Sequence, residues 1–216
     1  PMIVRTFKQC NKVVPSSKIY VATDSKKIKK VCENYKINCI LTSNNCLTGT
    51  DRVAEVSKKI NSDLYINVQG DEPFFNPLDL KKLINTAKKN PDKIINGYAV
   101  IRDEKLFKSN SIPKVIFDEN NNLLYMSRAP IPSSKNKEFK IAWRQICAYS
   151  FPKKALKIFS QRVKKTNIES IEDIEILRFL EMGLKVKMIK MSNKSLAIDN
   201  YEDLERAKIY LKLKKL

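Results

Sequence analysis

The 216-residue chain contains no histidine, only four glycines and a single tryptophan. Without an imidazole, His-based triads, His-liganded zinc and imidazole acid–base chemistry are excluded. Catalysis would have to rest on carboxylates, Lys, Arg, Tyr, Ser or Thr, or on a metal held by oxygen ligands. The five cysteines, Cys10, Cys32, Cys39, Cys46 and Cys147, are odd in number and form no C-x-x-C pair. That is poor arithmetic for a disulfide framework or a zinc site, so reduced thiols packed as small apolar groups are expected. No apolar run approaches the roughly 18 residues of a membrane span, and membrane insertion is not expected. The start, Pro1-Met2-Ile3-Val4-Arg5, shows no apolar stretch followed by a small-residue cleavage site, which makes the cytoplasm the expected location. Both phosphate-cradling glycine patterns, G-x-x-x-x-G-K-[ST] and G-x-G-x-x-G, are missing as well.

Basic residues are plentiful: 42 Lys and Arg face 23 Asp and Glu, a formal charge of +19. Eight of the 42 are arginines, so 34 are lysines, scattered over every segment. Runs such as Lys26-Lys27-Ile28-Lys29-Lys30 read as solvated helix faces, and no nucleic-acid partner is expected. The scarce arginines Arg52, Arg128 and Arg144 carry more information, because a guanidinium offers a rigid bidentate fork for carboxylate or phosphate.

Strands and helices alternate through the first hundred residues, which predicts βαβ units and a mainly parallel sheet. Helices are expected over 1–10, 25–35, from Thr50 or Asp51 to Ile60, and from a cap at Asn76 to Lys89. Strands are expected over 18–22, 38–41, 63–68 and 94–101. The pattern then changes to short strands over 113–117 and 123–127, joined by Asp118-Glu119-Asn120-Asn121-Asn122 as an antiparallel hairpin, with 141–151 extended beyond a polar loop. Helices at 153–160, 171–181 and 202–212 and a strand at 184–190 complete one domain over 1–216, with an antiparallel arm at about 113–151.

The segment Ile66-Asn67-Val68-Gln69-Gly70-Asp71-Glu72-Pro73 is the most informative. An apolar strand ends in an amide, a glycine and two acids, and Pro73 stops the strand. Ligands of open α/β sheets bind just beyond the carboxyl ends of strands, so this looks like a site for a polar ligand and a hard cation. An acidic turn is the plain alternative. Asp199 follows Leu196-Ala197-Ile198 at a second strand-to-helix junction, where a helix-capping role is the alternative. Thr48-Gly49-Thr50-Asp51-Arg52 sits at a helix start, where free amides favour anions.

Taken together, Asn67-Val68-Gln69-Gly70-Asp71-Glu72-Pro73, Val21-Ala22-Thr23-Asp24, Thr48 to Glu55, Tyr125 to Pro132, Ile174-Glu175-Ile176-Leu177-Arg178 and Asp199 to Glu205 resemble, in order and spacing, the 3-deoxy-manno-octulosonate cytidylyltransferase family. The resemblance runs along almost the whole chain. It implies an α/β, Rossmann-like nucleotidyltransferase fold of three layers, a mainly parallel sheet and a small antiparallel dimerisation arm. It also implies transfer of CMP from CTP to the anomeric hydroxyl of an acidic eight-carbon sugar, with pyrophosphate leaving and the product serving lipopolysaccharide synthesis. By resemblance, Asp71 and Asp199 are catalytic and hold Mg2+, and Thr50, Arg52 and Gln69 contact the nucleotide. Arg128, Arg144, Gln145, Tyr149 and Glu169 are candidates for the sugar, although Arg128 or Arg144 could equally pair with acids and Tyr149 could be core. A homodimer is expected.

Some positions depart from the family pattern. Gln145 stands where many members carry histidine, Cys147 where glycine is usual, and Leu196 near another usual glycine. These changes leave open another acidic sugar, such as an 8-amino variant or a nonulosonic acid. Family members begin with a strand and a loop rich in Arg, Ser, Gly and Lys that cradles the triphosphate, and this sequence opens after it. The corresponding expectation is that residues 1–216 alone form a poorly soluble, inactive truncated homologue.

Overall fold

The computed structural model describes residues 1–136, 138–193, 195, 197–198 and 201–214, with side chains described up to 209. The amino-terminal half alternates as expected. Helix α1 (Met2–Asn11) leads through a short 3-10 turn to β1 (Val21–Thr23), α2 (Lys26–Asn34), β2 (Cys39–Leu41), α3 (Gly49–Lys59), β3 (Leu64–Val68) and α4 (Pro77–Lys89). Local chemistry sets these helix starts. Ser25 Oγ accepts the Ile28 N–H at 3.3 Å, and Asn76 Oδ1 accepts that of Leu78 at 3.1 Å just before Pro77. Each such cap is worth about 1 kcal/mol. Helix α3 starts earlier than the sequence suggested: its cap is Thr48, whose Oγ1 accepts the Asp51 N–H at 3.2 Å, rather than Thr50 or Asp51.

Beyond α4 come β4 (Ile94–Ile101), α5 (Glu104–Lys108), β5 (Lys114–Phe117), β6 (Leu123–Ser127) and β7 (Ala142–Pro152). The five-residue α5, capped by Asp103, is too short to leave a periodic signature and was not foreseen. Then follow α6 (Lys153–Phe159), α7 (Asn167–Glu172), α8 (Ile176–Glu181), β8 (Val186–Lys190) and α9 (Tyr201–Lys214). The single helix expected over 171–181 is two helices. Asp173, at φ 52°, adopts a left-handed conformation that ends α7 and redirects the chain into α8. Gly183, at φ 75°, supplies the turn into β8.

The main sheet is mixed. Strands run in the order β6-β5-β7-β4-β8, and β3 pairs with the far end of β7. The long β7 is antiparallel to β3, β4 and β5, whereas β4 and β8 are parallel. The β5–β6 hairpin is less of a separate arm than its composition suggested. Val115, Leu123 and Met126 are buried in the central core with Phe151, Phe159 and Phe179. Its turn reaches β8, where the Met188 N–H donates to the Asn121 carbonyl at 2.7 Å.

Among the described residues, strands β1 and β2 form a separate two-stranded parallel sheet that is not bonded to the other six strands. Between β1 and β3 lies a groove of about 1370 Å³. Its walls include Phe7 of α1, Val53 and Val56 of α3, Ile66 of β3 and Ile84 of α4.

Candidate active site

The carboxyl ends of three strands converge on the first turn of α3. Arg52 Nη2 lies 3.3 Å from Asp24 Oδ2, just after β1, and its Nη1 donates to Thr42 Oγ1 at 2.5 Å, just after β2. From the end of β3, Gln69 Nε2 reaches Glu175 Oε1 at 3.5 Å, and the other Glu175 oxygen accepts the Thr50 N–H at 2.8 Å. Arg52, Gln69, Gly70 and Asp71 all line the same groove. The glycine at 70 allows close packing, since a Cβ there would come within 3.2 Å of Ile3 Cδ1, and its carbonyl accepts from Thr6 Oγ1 at 2.9 Å.

Asp71 is half-buried at the turn after β3, and its carbonyl oxygen accepts the Ile198 N–H at 3.0 Å. The segment just before the second expected acid is thereby tied to the first. Asp199 itself lies outside the described residues. A carboxylate at a strand end, with Glu72 next to it in sequence, suits a hard cation that keeps several waters, such as Mg2+.

Two buried acids, Glu175 and Glu72, were not among the expected contacts. Glu175 has its carboxyl raised above the ordinary value by burial, although the Thr50 amide opposes that shift. Glu72 is buried beside Arg144. Burial lowers the Arg144 guanidinium from its ordinary value, while attraction to Glu72 raises it. Cys147 and Tyr149 are both pushed up, first by burial. The only sequence signal for Glu175 is its place in the Ile174–Arg178 motif, one helical turn ahead of Arg178.

The other expected sugar contacts fall into three places. Gln145 and Tyr149 are buried together on β7: Gln145 Nε2 donates to Asn96 Oδ1 at 3.1 Å and approaches the Tyr149 hydroxyl at 3.4 Å. Arg128 spends its guanidinium on backbone carbonyls, those of Glu172 at 2.6 Å, Asp173 at 3.0 Å and Asn110 at 3.1 Å. Glu169 is fully buried and bonded to Arg178 through two contacts of 2.7 Å, so its carboxylate is committed within the fold. Arg178 also grips Asp51 through contacts of 2.8 and 3.2 Å and stacks over the Phe159 ring at 3.9 Å. Thus Glu175 and Arg178 of one motif hold consecutive residues, Thr50 and Asp51, of the α3 start.

Residues 1–212 match the family model for cytidylyltransferases. The 3-deoxy-manno-octulosonate cytidylyltransferase of Chloroherpeton thalassium is 34% identical over 215 residues, covering 98% of this chain and 87% of that protein. The 8-amino-3,8-dideoxy-manno-octulosonate cytidylyltransferase of a Shewanella species is 30% identical, over 95% of this chain and 86% of its own. A solved CMP:2-keto-3-deoxy-manno-octonic acid synthetase complexed with CTP superposes with a TM-score of 0.90 at 26% identity, covering 99% of this chain and 88% of that one.

Proposed function

This chain belongs to the 3-deoxy-manno-octulosonate cytidylyltransferases, within the cytidylyltransferase family, and we propose that it transfers CMP from CTP to the anomeric hydroxyl of 3-deoxy-manno-octulosonate. The sugar oxygen attacks the α-phosphorus in line and pyrophosphate leaves. The observation that carries this reading is the convergence of Arg52, Gln69 and Asp71 on one groove at the carboxyl ends of β1, β2 and β3. Strand ends are where α/β sheets bind nucleotides.

In this reading Arg52 and the Thr50 turn of α3 bind the nucleotide, with Gln69 between nucleotide and sugar. Arg144, Gln145 and Tyr149 on β7 face the acidic sugar, and Arg144 brings the charge that its carboxylate requires. Asp71, with Asp199, would hold Mg2+, which when bound neutralises phosphate charge and orients the attacking oxygen. Arg128 and Glu169 act as supports: one knits α7 to β6, the other anchors Arg178. The reaction runs in the cytoplasm, in keeping with the absence of a membrane-crossing helix among the described residues.

The protein assembles as a two-fold dimer through the β5–β6 region, where Leu124 is 60% exposed beside buried Leu123. A second reading, an 8-amino sugar as acceptor, draws on the similarity to the Shewanella enzyme and on Gln145, a neutral amide at a position where many family members carry histidine. Pyrophosphate release from CTP with a panel of acidic sugars tests both. Turnover with 3-deoxy-manno-octulosonate alone supports the first, preference for the 8-amino sugar supports the second, and no release with any sugar rejects both.

A further inference from the structure

We propose that Asn96 is a positioning residue that fixes the amide of Gln145 in one orientation, so that the acceptor sugar must present a hydrogen-bond donor, a hydroxyl or an ammonium, to Gln145 Oε1. The inference rests on the reading given above, in which this stretch of β7 meets the sugar.

It starts from a break in the sheet. Asn96 of β4 pairs with Tyr149 of β7, but the next residue, Gly97, pairs with Ile146. Cys147 and Ala148 therefore have no partner on β4, and β7 bulges there. On its other edge the same stretch is held from β3: Val68 pairs with Ala148, and the Gln69 N–H donates to the Cys147 carbonyl at 3.4 Å. The bulge thus lies at the strand end that carries Gln69 and Asp71. The Cys147 thiol is pushed up first by burial and then by Glu72, with Asp71 and Glu175 adding to it, so the candidate acids lie close to the bulge. Bulges commonly sit beside active sites, where they re-aim side chains.

Asn96 closes the break. Its side chain is fully buried, and Nδ2 donates to the carbonyls of Ile146 at 2.9 Å and Ala148 at 3.0 Å, on either side of Cys147. A carbonyl only accepts, so the NH2 of Asn96 must face these two and its Oδ1 is left for Gln145. Oδ1 receives Gln145 Nε2 at 3.1 Å. Gln145 can meet an oxygen only with its own NH2, and that group also approaches the Tyr149 hydroxyl at 3.4 Å. Two backbone carbonyls, acting through Asn96, thereby dictate the polarity of Gln145. Turning the amide over would set two oxygens against each other in a buried place, where an unpaired polar group is costly. Among the described residues no donor reaches Gln145 Oε1. A fixed acceptor is what remains for a ligand. A carboxylate there would be repelled, which leaves the acid of the sugar to Arg144, the preceding residue. A hydroxyl or an ammonium would be held, the latter more strongly because the bond is charge-assisted.

The test compares sugars in which one hydroxyl at a time is replaced by fluorine, which nearly keeps the size and removes the donor. Pyrophosphate release from CTP gives kcat/KM for each with the wild-type chain. One fluoro sugar should be worse than its parent by at least about a hundredfold, because a site built to bond a hydroxyl rejects the analogue without it. Gln145→Leu should remove that preference. Asn96→Leu, in which Gln145 is free to turn, should shrink it by at least about tenfold. Lost packing alone would lower kcat/KM for every sugar alike and leave the ratio where it was. One readout needs no variant: in the wild-type chain the side-chain amide protons of Gln145 and Asn96 should exchange at least about tenfold more slowly than those of exposed Gln161. The proposal is overturned by equal use of the parent and every fluoro sugar, by an unmoved ratio in either variant, or by exchange at Gln145 as fast as at Gln161. No turnover of any sugar by the folded wild-type chain rejects the reaction and the sugar contact with it, and slow exchange would then leave Asn96 as a structural strut.

Discussion

The backbone N–H of Ile198 donates to the carbonyl oxygen of Asp71 at 3.0 Å, across 127 residues of sequence. The tie uses the main chain of Asp71 and does not involve its carboxylate. Asp71→Asn should therefore keep the fold while removing the charge proposed to hold Mg2+. A metal's stabilisation of phosphate charge is worth several kcal/mol, so kcat should fall by at least about a hundredfold. Pyrophosphate release and thermal unfolding measured side by side check this. Retained turnover in Asp71→Asn would remove Asp71 from the metal site.

Arg52 touches Asp24 and Thr42 with its outer nitrogens. These contacts set the plane of the guanidinium at the mouth of the groove. Arg52→Ala should weaken CTP binding by about ten- to a hundredfold, the range for one hydrogen bond to a charged group. Arg52→Lys should recover little, because an ammonium cannot reproduce the fork. Calorimetric titration of CTP into both variants measures it, and wild-type affinity in either one contradicts the assignment.

Much of this was legible in the sequence because it is local. The Asn76-Pro77 start of α4, the Ser25 cap of α2 and the limits of β4 follow from side chains within a few residues of one another. The Gln69–Asp71 turn was legible for the same reason, as an apolar strand stopped by Pro73. What escaped depends on contacts distant in sequence. Nothing local reveals that β7 inserts antiparallel between β3 and β4, which makes the sheet mixed. The sequence reads as one helix over 171–181, so neither the earlier start of α7 at Asn167 nor the break at Asp173 could be read from periodicity. Glu169 was a candidate contact for the sugar. Only the fold shows that its partner is Arg178, nine residues on.

The dimer proposed for the β5–β6 region rests on few side chains. Val115, Leu123 and Met126 are already buried within one chain, which leaves Leu124 as the prominent exposed apolar group of β6. Leu124→Glu should lower the dimer fraction at micromolar concentration without unfolding the protein, since a charge at an interface centre is left unpaired. Sedimentation of wild type and variant decides the matter. A monomeric wild type excludes the dimer, and an unchanged dimer in the variant places the interface elsewhere.

Two carboxyl groups, buried Glu175 and half-buried Glu172, should give opposite pH slopes. Burial raises Glu175, so its folded form holds a proton that the unfolded chain releases at the ordinary value of 4.5. The cost of its charge is then absent at low pH and grows as pH rises from 4.5 through the raised value. For Glu172 burial also pushes upward, but hydrogen bonds from Ser127, the Arg128 amide and Tyr125 outweigh it and the net shift is downward. Its stabilisation is present above 4.5 and is lost as pH falls through the lowered value. Denaturant unfolding across pH should show Glu175→Gln gaining on wild type as pH rises. Glu172→Gln should lose to wild type near neutrality and converge with it in acid. Parallel stability curves for either variant would contradict the shift assigned to that residue.

Arg178 should be the most sensitive position in the fold. It is fully buried, joins Glu169 to Asp51 and covers the Phe159 ring. Replacing it by Met fills much of the volume but leaves the Glu169 carboxylate, which is itself fully buried, without a countercharge. Breaking a buried pair in this way costs about 3–5 kcal/mol, a large share of the stability of a domain this size. Glu169→Gln removes one negative charge and leaves Arg178 its partner Asp51, so it should cost clearly less. The double variant Arg178→Met, Glu169→Gln should recover part of the loss, because no isolated charge remains inside. Urea unfolding of the three variants gives the coupling energy directly. If the double variant is as unstable as the sum of the singles, the two residues act independently and the charge argument fails.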